Sequence, residues 1–265
     1  MAESGPEKLD GSKFRTANLE AGGARSLGRP IAIGVDCNMD FRRAAIVVAH
    51  PDDEILWFSS LAAKVGRIVM CYGAVSNVPE RAAQRRRLVE AYPLDTVQFF
   101  DLPQPAFWRG MSPGAFERAT VELAEENPGH RLALADRLRT ALQGVDTVFV
   151  HNPWGEYGHE DHRRLNAVVN ALRDEMKFKV YVSAYVEMQI LNQVDGMLAD
   201  GIGDVISFPT DRAEIEPIVA MYKLHSCWTW AENWRWPKEE HFFRVGEGVR
   251  IREASIPFQV FDVRW

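Results

Sequence analysis

Residues Arg43 to Ala49 (RAAIVVA) form an almost unbroken apolar run that stops abruptly at His50-Pro51-Asp52-Asp53-Glu54. A short apolar run closed by His-Pro reads as a buried strand. Beyond it lies a concentration of charge that a core cannot take in without a partner. About a hundred residues later the chain repeats the arrangement: Asp146 to Val150 (DTVFV) reads as a strand, and Gly158-His159-Glu160-Asp161-His162 comes soon after it. Two strand ends thus carry histidines and carboxylates, and the fold has to accommodate both.

The segments between them alternate. Glu54 to Val65 is expected to be helical, with Asp52 or Asp53 at its start and Gly66 at its end. Gly66 to Tyr72 reads as a strand, Pro79 to Tyr92 as a charged helix, and Thr96 to Phe100 as a strand. Gly114 to Glu126 and His130 to Gln143 read as helices, His159 to Met176 as a loop and then a helix, and Lys179 to Val186 as a strand. Short apolar strands alternating with amphipathic helices indicate an α/β fold with a mostly parallel sheet flanked by helices. Such sheets bind ligands at the carboxyl ends of their strands, where both motifs fall. The expected organisation is a flexible polar tail over 1–28 and one catalytic domain over 29–265, with an aromatic C-terminal extension from about 209 as a cap.

Composition narrows the classes. The 265 residues are 46% hydrophobic and 26% charged, an ordinary globular balance. A net charge of -6 argues against a nucleic-acid partner, and the run Arg85-Arg86-Arg87 reads as a solvated helix face. No apolar run approaches the length of a membrane span, and no signal-peptide core is evident. Three scattered cysteines, Cys37, Cys71 and Cys227, make neither a disulfide framework nor a thiolate metal site, so a reducing cytoplasm is the expected location.

The chemistry lies in the two motifs. His50 and Asp53, three apart at a strand-to-helix turn, can aim at one point. His159 and His162 lie one helical turn apart, and His162 is the better ligand candidate if the helix begins near it. Two histidines and a carboxylate suit hydrolytic zinc with one position open. Asp52 lies between the first pair, where a carboxylate near an activated water can serve as general base; helix capping is the plain alternative. Asn152 and Trp154 sit between a strand end and the second motif, at the expected rim of a pocket, where the indole either stacks on a sugar or packs in the loop. His225 and the tryptophans from Trp228 to Trp236 line an acceptor groove or fill core. The mixed expectation is Trp228 or Trp230 near the pocket, with Trp234 and Trp236 packing the cap. No partner is assigned to His130, His151 or His241.

The two motifs together resemble those of the PIG-L/LmbE-like zinc-dependent de-N-acetylases, whose signature is A-H-P-D-D-E followed by G-H-x-D-H. Ala49 to Glu54 and Gly158 to His162 match it in full, and the resemblance spans roughly residues 43 to 190. It implies a Rossmann-like fold, and zinc, or another divalent metal such as iron, held by His50, Asp53 and His162. It implies Asp52 as general base and His159 as oxyanion stabiliser or proton donor to the amine; Tyr157 matches a tyrosine of some members that helps polarise the carbonyl, with a loop aromatic packed on the site wall as the equal alternative. Relatives often place sugar-contacting residues where Arg87 and Glu90 fall, although a surface ion pair accounts for these two equally well. The implied reaction is removal of an N-acetyl group from an N-acetylglucosamine-type sugar or glycoconjugate. A thiol-conjugate amidase and a silent sugar-binding protein are the alternatives. One departure is plain: many relatives carry glycines after the acidic motif, where this chain has Ile55-Leu56-Trp57-Phe58-Ser59-Ser60.

Overall fold

The structure, a computed structural model, describes residues 15–18, 33–34, 39–74, 78–104, 128–194, 202–232, 234–245 and 257–262. The helix expected over 114–126, Cys37 and most of the expected tail lie outside the described residues. Strands are β1 Arg15–Asn18, β2 Ile33–Gly34, β3 Ala44–Val48, β4 Arg67–Ala74, β5 Val97–Pro103, β6 Thr147–Val150, β7 Lys179–Ser183, β8 Tyr185–Glu187, β9 Ile202–Pro209, β10 Glu239–Val245 and β11 Pro257–Phe261. Helices are α1 Asp53–Trp57, α2 Pro79–Glu90, α3 Pro128–Ala141, α4 Glu160–Met176 and α5 Arg212–Leu224, with a short helical turn at Gly155–Gly158.

The main sheet has the order β2-β9-β10-β7-β6-β3-β4-β5. Among the described residues only β10 runs against its neighbours; the other pairings are parallel. The expected α/β architecture with a mostly parallel sheet is therefore the observed one. Every residue of β3 is buried, as a central parallel strand requires. Its side chains alternate between the two faces. Ala45 and Val47 join Leu134, Leu138, Leu165 and Val168 of α3 and α4. Ile46 and Val48 join Ile55 and Leu56 of α1, Leu88 of α2, and Ile215 and Ile218 of α5. Helix α4 presents Leu165, Val168, Val169 and Leu172 to the core, the i, i+3, i+4, i+7 spacing of an amphipathic helix.

Two expectations are corrected. The helix expected over 54–65 stops at Trp57 because the buried Glu240 carboxylate captures the backbone N–H groups of Ser59 and Ser60, at 3.3 and 2.8 Å. The strand expected over 179–186 is broken at Ala184: β7 stays in the main sheet while β8 joins a second sheet of order β1-β11-β8. Residues 15–18 pair antiparallel with β11 in that second sheet. From the C-terminal part of the chain, β10 lies inside the main sheet between β7 and β9. Among the described residues no helix is long and apolar enough to cross a membrane.

Candidate active site

β3 and β6 are parallel neighbours, so their carboxyl ends deliver His50 and His151 to one edge of the sheet. The chain leaves β3 through a strained step: Asp52 has φ 100, the left-handed region. Its backbone N–H is donated to the Tyr222 hydroxyl at 2.8 Å and to Glu54 Oε2 at 3.1 Å. Its own carboxylate accepts from Thr229 Oγ1 at 2.6 Å. Helix α1 then starts at Asp53, whose Oδ2 accepts the His50 N–H at 2.8 Å and whose Oδ1 accepts the Trp57 indole N–H at 3.1 Å. Trp57, one of the departures from the glycine-rich pattern, thus supports a carboxylate of the site.

From the other side, His159 caps helix α4, its Nδ1 accepting the Asp161 N–H at 3.2 Å. A neutral ring that accepts at Nδ1 carries its proton on Nε2. His162, one turn into the helix, has Nδ1 2.8 Å from Glu156 Oε2 and Nε2 3.3 Å from Asp53 Oδ1. His50 Nδ1 lies 3.3 Å from Asp53 Oδ2 and its Nε2 lies 3.2 Å from Asp161 Oδ2. The sequence motifs His50, Asp52, Asp53, Tyr157, His159 and His162 therefore converge, all of them buried. The Tyr157 ring stands edge-on to His159 and His162, with centroids 5.6 and 5.5 Å away.

The electrostatics reflect this crowding. Burial, with Asp53 adding its charge, pushes Asp52 up to about 7. Burial likewise pushes Glu54 up to about 7. Burial works against the charged form of Asp53, but the adjacent His162 and His151 overcome it and hold the carboxyl well below its usual range. Burial together with His162 and His50 drives His159 well below the usual imidazole value, so its ring is neutral. Burial raises the Tyr157 phenol well above its ordinary range and keeps it protonated.

Two donor sets share His162. One is His50, His159 and His162, and the other is Asp53, His151 and His162; within each set the donor atoms lie within 4.8 Å of one another. The expected trio His50, Asp53 and His162 draws on both. The fit to a cation rests on His162 Nε2, a buried nitrogen without a hydrogen-bond partner. Nitrogen and carboxylate donors without thiolates are a set that suits zinc and other first-row divalent ions.

The expected substrate contacts fare differently. Arg87 and Glu90 are exposed on α2. The arginine that turns inward is Arg85, buried and close enough for its charge to favour the ionised form of Asp52. This overturns the solvated-face reading for Arg85. The signal was present in the sequence: Ala82, Arg85 and Leu88 are the buried residues of α2, a single i, i+3, i+6 stripe. Asn152 and Trp154 are fully buried rather than at a rim. The Asn152 amide donates to the backbone oxygens of Ser183 and Tyr185 at 3.2 and 2.8 Å, and the Trp154 indole donates to Tyr185 O at 2.8 Å. Both side chains tie the strand end to the break between β7 and β8. Sequence reasoning missed His151 and the roles of Glu156, Tyr222 and Thr229. His151 directly follows the strand that precedes the second motif and Glu156 lies two residues before that motif, whereas nothing local marks the last two.

Fold and site together define an α/β protein with a buried histidine–carboxylate cluster at the carboxyl ends of adjacent parallel strands. No family model matches the chain, and no curated protein matches it. Solved structures do. The A40926 pseudoaglycone deacetylase aligns with a TM-score of 0.50 and 11% identity, over 80% of this chain and 98% of that one. A deacetylase of teicoplanin biosynthesis, solved in complex with teicoplanin, aligns with a TM-score of 0.48 and 11% identity, over 76% of this chain and 98% of that one. At these identities the likeness is one of fold.

Proposed function

We propose that the chain is a metal-dependent hydrolase that removes the acetyl group from an N-acetylated amino sugar, either free or within a glycoconjugate. The carrying observation is the convergence of His50, Asp53 and His162 with a spare acid, Asp52, and a spare neutral imidazole, His159, in one buried cluster at two neighbouring strand ends. The acyl group and the sugar come from the motif resemblance, and a solved structure of the same fold is itself named a deacetylase.

In this reading His50, Asp53 and His162 hold the ion. A zinc-type cation there would polarise the acetamide carbonyl and acidify water. His159 is reserved for another task. Its Nδ1 is already used by the Asp161 N–H, so its Nε2–H is a donor and not a free lone pair. That donor suits the negative oxygen that develops when water adds to the carbonyl carbon. Asp52 takes a proton from the attacking water and returns it to the departing amine nitrogen as the C–N bond breaks, giving acetate and the free amino sugar. Burial puts this acid near neutrality, within the range a general base needs. The Tyr157 phenol, held protonated, adds a second donor beside the carbonyl.

The test is zinc content by elemental analysis together with acetate release from N-acetylglucosamine and its glycosides. One bound ion and chelator-sensitive acetate release are expected, and both should be lost in His162→Ala. Full turnover after metal stripping, or no acetate from any N-acetyl sugar, would count against the reading.

A further inference from the structure

Glu156 lies between Gly155 and Tyr157 with φ 52 and ψ -55, a backbone conformation in which an L side chain is strained. The side chain is fully buried. Such strain persists only where the surroundings hold the residue in place, and here four donors do so. Oε2 accepts from His162 Nδ1 at 2.8 Å and from His151 Nδ1 at 3.0 Å. Oε1 accepts from Ser183 Oγ at 2.5 Å and from the Asn152 N–H at 3.2 Å. The Glu156 N–H is in turn donated to Asn152 Oδ1 at 2.9 Å.

The two imidazoles that share Oε2 lie nearly parallel, with centroids 3.7 Å apart and planes at 17°. Their far nitrogens are used differently. Both lie near Asp53, His151 Nε2 at 3.4 Å from Oδ2, but His151 Nε2 also accepts the Ala49 N–H at 3.0 Å, which fixes its tautomer and binds the end of β3 to the end of β6. His162 Nε2 has no hydrogen-bond partner and faces Asp53. Glu156 therefore sets the Nδ1–H tautomer in both rings, leaving one Nε2 lone pair to lock the strands and the other to face the candidate ion. Because parallel stacked rings cannot direct both lone pairs at one ion, His151 serves as a brace.

We infer that Glu156 is a positioning residue for the metal centre: it orients His162 as an Nε2 ligand, raises that ligand's basicity, and through His151 ties together the strand ends that carry the remaining ligands. This inference rests on the proposed metal site. Carboxylate–histidine–metal arrangements of this kind carry about 10- to 100-fold in metal affinity.

The experiment compares wild type with Glu156→Gly, Glu156→Gln and Ser183→Ala. Each protein is stripped of metal and its zinc affinity read by competition with a chromophoric chelator. Downfield imidazole N–H resonances are followed in proton NMR. Glycine suits the backbone at this position, so Glu156→Gly should fold, yet bind zinc about 100-fold more weakly and lose the downfield signals. Glutamine can still accept from both rings but carries no charge, so Glu156→Gln should lose about 10-fold and keep shifted signals. Ser183→Ala leaves both imidazole bonds intact and should stay within about 3-fold of wild type. If the glycine variant does not fold, the glutamine variant decides. Wild-type affinity in the folded Glu156 variants would overturn the inference and leave the metal reading standing. Absence of zinc from the wild type would sink both.

Discussion

Asp52 combines a left-handed backbone with a buried carboxylate, and each depends on residues distant in sequence. Tyr222 and Glu54 hold its amide, and Thr229 holds its acid oxygen. Asp52→Asn keeps the shape and can still accept from Thr229, but it cannot take a proton. We expect the variant to retain metal while kcat falls by on the order of 10²–10⁴; near-normal turnover would move the base elsewhere. The same acid has a stability consequence. Asp52 and Glu54 are lifted from 3.8 and 4.5 to about 7, so between those values the folded chain holds protons that the unfolded chain has released. The stability that these two acids contribute should therefore fall as pH rises from about 4 to 7. Glu156 acts in the opposite sense. Burial opposes its ionisation, but His151 and His162 win and hold it at about 2 rather than 4.5, so its contribution is lost only as pH drops below about 4.5. Burial with His162 and His50 lowers His159, which also works in the opposite sense below about pH 6.5, so metal-stripped Asp52→Asn is the comparison. From pH 4.5 to 7 its Tm should fall less, or rise more, than that of metal-stripped wild type, and identical pH profiles would contradict the assignment.

At the scale of elements, α1 is the informative case. Its sequence continues with helix-compatible residues as far as Val65, yet the helix lasts from Asp53 to Trp57. Glu240, in β10, replaces the carbonyl oxygens that Ser59 and Ser60 would otherwise have found, and also accepts from Ser59 Oγ and Tyr185 Oη, both at 2.8 Å. The early stop lets Phe58 turn into the core against Phe242, 5.9 Å between ring centroids. Removing the carboxylate leaves several buried donors unsatisfied, each at a cost of about 1–3 kcal/mol. Glu240→Ala should then lower the unfolding free energy by about 3 kcal/mol or more in urea titrations, with little change for a substitution at exposed Glu90. A loss under 1 kcal/mol would mean that the helix ends for another reason.

Over the whole molecule, the aromatic segment after α5 packs against Trp57 and Tyr157 beside the site. Trp57 packs against Trp230, Trp234, Tyr185 and Phe261, with centroids 5.2 to 5.6 Å away, and Trp230 lies 5.2 Å from Tyr157. Trp230 is buried, which favours a packing role over the pocket wall expected for it. Trp230→Ala should destabilise the fold by about 3–5 kcal/mol, the usual cost of emptying a large aromatic site. Any fall in activity should track the folded fraction in calorimetry. A stable variant with a KM raised only for large glycoconjugates would restore the pocket-wall role.

The sequence by itself determined the class of fold and which motif groups meet at the strand ends, for a physical reason: both are written in short-range patterns. A buried parallel strand needs consecutive apolar residues such as Ala44–Val48. Ligands at a strand end need His and Asp within one turn, as at His50 and Asp53. What surrounds those groups was decided only in three dimensions. Ser59 and Ser60 do not announce that an acid about 180 residues later will end their helix. Asp52 does not announce Thr229, and His162 shows no dependence on His151 until β3 and β6 lie side by side. Long-range hydrogen bonds to buried charge have no local period, so the partners that orient the motif groups became visible only once the sheet had brought its strand ends together.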